Sequence, residues 1–186
     1  MINLFSTPVY STTLNLNNKS LELSCYSIQK VDQGVTKSNE GGYQSNNIIS
    51  SKEFLPLFTD IVVHCQNFKD SLGFKKDVSI ANAWININSK GALNLEHTHS
   101  HCLFSGVYYI KTPNNCGDIY FSNPNPVSFV WNLDDIKDSS RSLIANEKWF
   151  VKSNAGVLLL FPSWAKHGVT SNMSNEDRIS ISFNCI

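Results

Sequence analysis

The hydrophobic pattern changes period once along the chain, separating a helical first part from a β-rich remainder. Between Lys19 and Gln33, the residues Leu21, Cys25, Ile28 and Val31 recur at helical spacing, and Gly34 offers a stop. A longer stripe of Phe54, Phe58, Ile61, Cys65, Phe68 and Leu72 predicts a second helix, with Ser50 or Ser51 to cap it and Gly73 to end it. Pro56 fits that helix only in the first turn, where its missing N–H has no intrahelical partner to lose. Upstream, Phe5 to Leu16 reads as extended, with Pro8 at an edge or loop start. The polar stretch from Thr36 to Asn47, carrying Gly41-Gly42, reads as a loop.

From about Val78 the period becomes two. Ala83-Trp84-Ile85-Asn86-Ile87-Asn88 alternates apolar with polar, as a half-buried strand does. Gly106 to Ile110 and Gly117 to Phe121 read as strands on either side of the turn-forming Thr112-Pro113-Asn114-Asn115. Further strands are expected over Gly156 to Phe161 and Arg178 to Phe183. Asn123-Pro124-Asn125-Pro126 interrupts the sheet. Val127 to Ser153, with Phe129, Trp131, Trp149 and Phe150, reads as a long loop with a short hairpin, and the loop from Asn123 to Ser153 is expected to border the mouth of a pocket. Trp84, Phe161 and Trp164 read as core or barrel-lining, and Gly106 and Gly117 as relief of backbone crowding at strand starts. Helices followed by many short strands predict a mainly β fold, a sandwich or jelly roll with N-terminal helices on one outer face. The 186 residues suit one domain, with a helical support region at 1–77 and a β core at 78–186.

Composition narrows function mainly by exclusion. Apolar residues at 41% and charged residues at 16% are ordinary globular values. The net charge is zero and no basic run occurs, so there is no electrostatic footprint for nucleic acid. Cys25, Cys65, Cys102, Cys116 and Cys185 are odd in number and irregular in spacing, which argues against a disulfide framework and against a cysteine zinc site. Met1 to Phe5 lacks the basic region and long apolar run of a signal peptide, and Val157 to Phe161 is far too short to cross a bilayer. The expectation is a soluble, cytoplasmic protein.

Candidate chemistry concentrates in Glu96-His97-Thr98-His99-Ser100-His101 and in one distant histidine, His167. Alternate residues of a strand share a face, so His97 and His99 are expected to project together with Thr98 turned away. His167 follows Phe161-Pro162-Ser163-Trp164 at the end of another strand and would complete a facial set of three imidazoles. His101 has the same parity, but Ser100 to Cys102 reads as a bend that leaves it beside the metal or the substrate. Glu96 or Asp118 could instead supply a carboxylate ligand, although Glu96, adjacent to His97, should point away from it. His64, beside the apolar stripe, reads as a helix histidine with no ligand role. Arg178 and Ser180 share a strand face beyond His167. A guanidinium is a permanent, planar donor suited to gripping a carboxylate. The pair could hold the far end of a dicarboxylate chelated to the metal; an ion pair with Asp177 or Glu176 is the alternative.

The run HTH…SGVYYI…GDIYFSNP…GVLLLFPSWAKHGV…DRISISFN, with GGYQS at 41–45 and AWIN at 83–86, resembles the Fe(II)/2-oxoglutarate-dependent dioxygenases. Within them it is most similar to a small group of 2OG-Fe(II) oxygenases found in bacteria and phages. The resemblance implies a double-stranded β-helix (a cupin-like jelly roll). It implies that His97, His99 and His167 bind Fe(II), that Arg178 and Ser180 hold the C5 carboxylate of 2-oxoglutarate, and that the Tyr109 hydroxyl assists there. Strand parity leaves Tyr108 as the alternative. The implied reaction is hydroxylation of an unidentified small-molecule or peptide substrate with release of succinate and CO2.

One position departs from the wider superfamily, where a carboxylate usually stands in place of His99. Three neutral imidazoles leave the metal charge uncompensated, which favours a dianionic cosubstrate. They also suit a zinc-dependent hydrolase or hydratase, and a non-enzymatic jelly-roll binding module is a third reading. Arg178 separates these readings, because a zinc-bound water has no general need of it.

Overall fold

The computed structural model describes residues 6–125 and 146–186. Strand β1 (Tyr10–Thr13) leads into helix α1 (Asn18–Gln29), two short strands, β2 (Asn39–Glu40) and β3 (Tyr43–Gln44), a 3-10 turn (Lys52–Phe54) and helix α2 (Leu55–Ser71). The β region follows as β4 (Ile80–Asn88), β5 (Leu93–His97), β6 (Phe104–Lys111), β7 (Ile119–Ser122), β8 (Lys148–Val151), β9 (Val157–Pro162), β10 (His167–Val169) and β11 (Arg178–Cys185). Among the described residues these strands form a six-stranded sheet, ordered β1-β9-β6-β11-β4-β3, and a five-stranded sheet, ordered β2-β5-β10-β7-β8. Every pairing is antiparallel. No helix among the described residues is long and apolar enough to cross a membrane.

Period-two alternation in the long strands sorts side chains between two interiors. One face of the six-stranded sheet, with Ile85, Tyr108, Leu160 and Ile181, packs against Cys25 of α1 and Ile61 of α2. Its opposite face meets the five-stranded sheet, where Val107, Leu159 and Phe161 pack with Ile119 and Phe121. The alternate residues of β4 and β11 also enter this second interior, yet they are polar. Asn86, Asn88, Arg178 and Ser180 are all buried. The polar face that the sequence suggested for a half-buried strand is therefore interior.

Buried amides are tolerated because they satisfy one another, whereas an unpaired buried polar group costs about 1–3 kcal/mol. Asn88 Nδ2 donates to Asn39 Oδ1 at 3.0 Å, Asn39 Nδ2 to Asn86 Oδ1 at 3.2 Å, and Asn86 Nδ2 to Ser182 Oγ at 3.0 Å. This chain fastens β2, which lies in the stretch read as a loop, across to β4 and β11.

Several expectations change in detail. Helix α1 ends at Gln29 instead of reaching Gln33, and Val31 is 85% exposed, so it does not belong to the core stripe. The helix is capped by Asn17, whose side chain accepts from the Ser20 amide at 3.1 Å. Ser51 precedes the 3-10 turn without a side-chain capping bond, and Pro56 falls in the first turn of α2. Two-residue strands β2 and β3 are too short to show any period. Trp164 is 55% exposed, unlike Phe161, and is not core. Strand β8 supplies a hairpin partner for β7; Phe129 and Trp131 lie outside the described residues.

The exit of α1 is held by Asp32. Its Oδ1 accepts from the Gly34 amide at 2.8 Å and from Asn46 Nδ2 at 2.6 Å, and its Oδ2 accepts from the Asn46 amide at 2.8 Å. Partial burial pushes this carboxyl up, but these hydrogen bonds outweigh it and hold the group below its ordinary 3.8. A depressed folded-state value stabilises the fold fully above the unfolded value and loses that contribution as pH falls through the folded one. Asp32→Asn is therefore expected to lower stability by about 1 kcal/mol at neutral pH. The two proteins should converge as acid protonates Asp32, a comparison that urea unfolding across the acid range makes directly.

Candidate metal centre

Three imidazoles meet at the open end of the interior between the sheets. His97 closes β5 and His167 opens β10, and the two are directly paired across the strands. Their ring centroids lie 4.6 Å apart, with His99 at 4.8 Å from His97 and 5.2 Å from His167. One ring nitrogen from each falls within 4.8 Å of the others, a spacing that suits a shared metal ion. Two details differ from the strand reading. His99 lies beyond the end of β5, and His167 begins its own three-residue strand instead of ending one. His99 is placed by its amide, which donates to the Ser163 carbonyl at 2.9 Å, and by Trp84, whose ring lies 5.9 Å from its own.

The hydrogen bonds define the tautomers. His97 Nδ1 contacts the Leu95 carbonyl at 2.7 Å and His167 Nδ1 contacts the Ala165 carbonyl at 2.8 Å. A carbonyl only accepts, so each Nδ1 carries a proton, and in the neutral ring it is Nε2 that presents the lone pair. Carbonyl partners of this kind orient ligand histidines. Burial, reinforced by the neighbouring imidazoles and Lys37, holds His99 down to about 3. Burial also lowers His167, to about 4, against the opposing pull of the Ala165 carbonyl. Both rings are neutral at pH 7 and ready to ligate.

The cavity below the histidines ends at Arg178, which is 1% exposed. Nη1 donates to the Cys116 carbonyl at 2.5 Å and to the Thr170 carbonyl at 3.2 Å, and Nη2 donates to Asn94 Oδ1 at 3.3 Å. All three acceptors are neutral. Among the described residues no carboxylate forms an ion pair with Arg178, so the alternative pairing with Asp177 or Glu176 is absent there. Asp177 instead accepts from Tyr26 and Ser89, and Glu176 pairs with Lys111. A guanidinium offers five N–H donors, and the three bonds above leave the Nε–H and one on Nη2.

Tyr109 and Ser180 face the same cavity and are cross-strand partners. The Tyr109 hydroxyl is buried without a hydrogen-bond partner. Burial pushes its phenol up to about 12, although the Ser153 side chain, near it but outside hydrogen-bond geometry, and the Arg178 charge pull the other way. Tyr108 points to the helical side and donates to Asn18 Oδ1 at 2.6 Å, so it does not reach the cavity.

The remaining ionisable candidates lie elsewhere. Glu96 faces outward, accepting from Ser122 at 2.5 Å and pairing with Lys166 at 2.7 Å. Asp118 accepts from the Ser153 amide, His101 is exposed in a turn, and His64 bonds to the Tyr10 hydroxyl. Sequence parity missed Asn94, and the pairing of β5 with β10 shows why. His97 sits opposite His167 and Asn94 opposite Val169, so three steps on β5 match two on β10. This β-bulge turns both Leu95 and Glu96 outward and brings residues of opposite parity, Asn94 and His97, to one cavity.

Iron and a dicarboxylate fit this donor set: three ring nitrogens close enough to share one ion, and a buried cation with spare donors beside an unpartnered hydroxyl. Comparisons with known proteins agree. Residues 82–184 match the family model described as "Putative 2OG-Fe(II) oxygenase". A crystal structure of a Pseudomonas putida prolyl-4-hydroxylase superposes with a TM-score of 0.65 at 14% identity, covering 97% of this chain and 94% of that one. The α-ketoglutarate-dependent epimerase SnoN from nogalamycin biosynthesis gives 0.70 at 10% identity, with 97% and 76% covered. HygX from Streptomyces hygroscopicus, with nickel and 2-oxoglutarate bound, gives 0.61 at 10% identity, with 96% and 82% covered. These likenesses establish a shared fold. No curated protein matches the chain in sequence.

Gly117, just before β7, has φ +84°, and a Cβ there would lie 2.8 Å from Arg178 Nη1 and against the Thr170 carbonyl. Its role is thus the packing of the guanidinium as well as the strand start. Gly117→Ala combines left-handed strain with this clash and is expected to cost about 2 kcal/mol or more. Thermal unfolding of the metal-free protein measures it; an unchanged transition would refute this account of the Arg178 seat.

Proposed function

The chain belongs to the 2OG-Fe(II) oxygenase family, and from that premise we propose that it hydroxylates a small-molecule or peptide substrate, with release of succinate and CO2. It is an enzyme of the oxidoreductase class that depends on Fe(II) and 2-oxoglutarate. In this reading residues 1–186 form one cytoplasmic domain. Residues 1–77 support a double-stranded β-helix built from 78–186. Bound Fe(II) and 2-oxoglutarate supply, with molecular oxygen, the oxidising power for the substrate C–H bond.

The chain's own residues do the positioning. His97, His99 and His167 hold the iron, two of them with rings oriented by the Leu95 and Ala165 carbonyls. Arg178 grips the far carboxylate of 2-oxoglutarate through its spare donors, Ser180 adds a hydroxyl, and Tyr109 gains there the partner its buried hydroxyl lacks. Phe161, Val107 and Ile119 keep the cosubstrate end of the cavity poor in water. One observation carries the reading most: a buried guanidinium, in an ion pair with no carboxylate among the described residues, lines the same cavity as three imidazoles clustered to share an ion. A hydrolytic zinc site has no use for that cation.

Anaerobic addition of Fe(II) and then 2-oxoglutarate is expected to give a visible charge-transfer band, with succinate release once oxygen and a substrate are present. His167→Ala should abolish metal binding and the band together; a band that persists would overturn the ligand assignment. Arg178→Ala should retain the metal but weaken 2-oxoglutarate binding by about 10- to 100-fold, the loss of one or more charge-assisted hydrogen bonds worth about 1.5–3 kcal/mol. Unchanged affinity in calorimetric titration would remove Arg178 from the site.

A further inference from the structure

Asn94 touches Arg178 but contributes no charge. Its Oδ1 must be the atom facing Nη2, since a guanidinium only donates. The amide nitrogen is left on the other branch, without a partner among the described residues, in a side chain that lines the same cavity as Arg178, Tyr109 and Ser180. The bulge in β5 aims it there. With the Cys116 and Thr170 carbonyls, the asparagine completes a cradle made wholly of neutral acceptors.

The choice of amide over carboxylate has a direct electrostatic consequence. A carboxylate at position 94 would occupy the same place and accept the same hydrogen bond, but it would neutralise Arg178 from within the protein. An incoming anion would then compete with a built-in one. From this geometry we propose that Asn94 is a positioning residue for the cosubstrate. It orients Arg178 while leaving the positive charge free, and its Nδ2 donates to the carboxylate that Arg178 binds. This rests on the reading of Arg178 given above.

The isosteric Asn94→Asp separates this role from a structural one, because it moves two measurements in opposite directions. Anaerobic calorimetry of the Fe(II)-loaded protein with 2-oxoglutarate should show affinity reduced at least tenfold. Thermal unfolding of the same variant without ligand should show a transition no lower than that of the natural protein, since the buried cation has gained a counter-ion. Asn94→Ala should lower both affinity and thermal transition. Fe(II) affinity should be the same in all three proteins. An Asn94→Asp protein that binds 2-oxoglutarate within threefold of the natural one overturns the proposal, as does one in which affinity and thermal transition fall together. Arg178→Ala in the same titration identifies which idea has failed. If it binds 2-oxoglutarate normally, the carboxylate seat itself is misplaced; if it does not, only the role of Asn94 is lost.

Discussion

The charge of Arg178 is the constraint around which the interior between the sheets is arranged. Taking a guanidinium out of water costs several kcal/mol even after relaxation, and here burial lowers the proton affinity of the group, offset only in part by Tyr109, Cys116 and the charge of Asp118, with no carboxylate among the described residues in an ion pair with it. Neutral acceptors reduce the penalty but leave the potential standing. The polar residues that β4 and β11 direct inward, the absence of a side chain at Gly117 and the bulge in β5 each make room for that arrangement. Toward the histidines, burial and the neighbouring imidazoles keep His99 and His167 uncharged, so these two add lone pairs and no further positive charge. The cavity is thus complementary to an anion that also offers oxygen ligands to a metal, a description that fits one end of 2-oxoglutarate to each end of the site.

Much of this was legible in the sequence because the long strands keep a strict period. β4, β6, β9 and β11 were visible as alternations or apolar runs, and Arg178 and Ser180 could be assigned to one face. Alternation alone could not say whether the polar face met water or a second sheet. The sandwich places Asn86 and Asn88 inside because their amides close a hydrogen-bond chain with Asn39 that local sequence does not display. Short pieces were less visible for a related reason. Two residues such as Asn39–Glu40 carry no period, and three such as His167–Val169 become a strand only through their partners on both sides. Asn94 was hidden by the bulge, since counting parity from His97 puts it on the wrong face.

The same distinction governs the three histidines. Their convergence was expected from parity along one strand, yet the structure reaches it by another route, and the route explains why His99 is held so firmly. Its amide is fixed by the Ser163 carbonyl, and the Ser163 hydroxyl donates to the Cys102 carbonyl, closing the turn on the other side. Two residues further on, the Ala165 carbonyl orients His167. One short turn between β9 and β10 therefore sets the position of one candidate ligand and the ring orientation of another. His97 joins them through direct pairing with His167. Coupling of this kind limits how far any one imidazole can drift when the site is empty of cosubstrate.

It also determines what the missing carboxylate means. With a carboxylate among the ligands, a divalent metal, Arg178 and a dianion would sum to zero. With three imidazoles the same set retains one positive charge. Glu96 cannot cancel it, because the bulge turns it outward to Lys166 and Lys148. Asp118, held by the Ser153 amide and outside the histidine cluster, acts on Arg178 only as a more distant charge and makes no ion pair with it. The surplus charge is therefore a property of the folded site and not an accident of one side chain. In a water-poor interior it strengthens the hold on any anion that reaches the metal. On the proposed assignment of Arg178, selection of 2-oxoglutarate over simpler anions then falls to the second point of attachment. That returns the burden of specificity to Arg178 and to the neutral cradle that keeps its charge available.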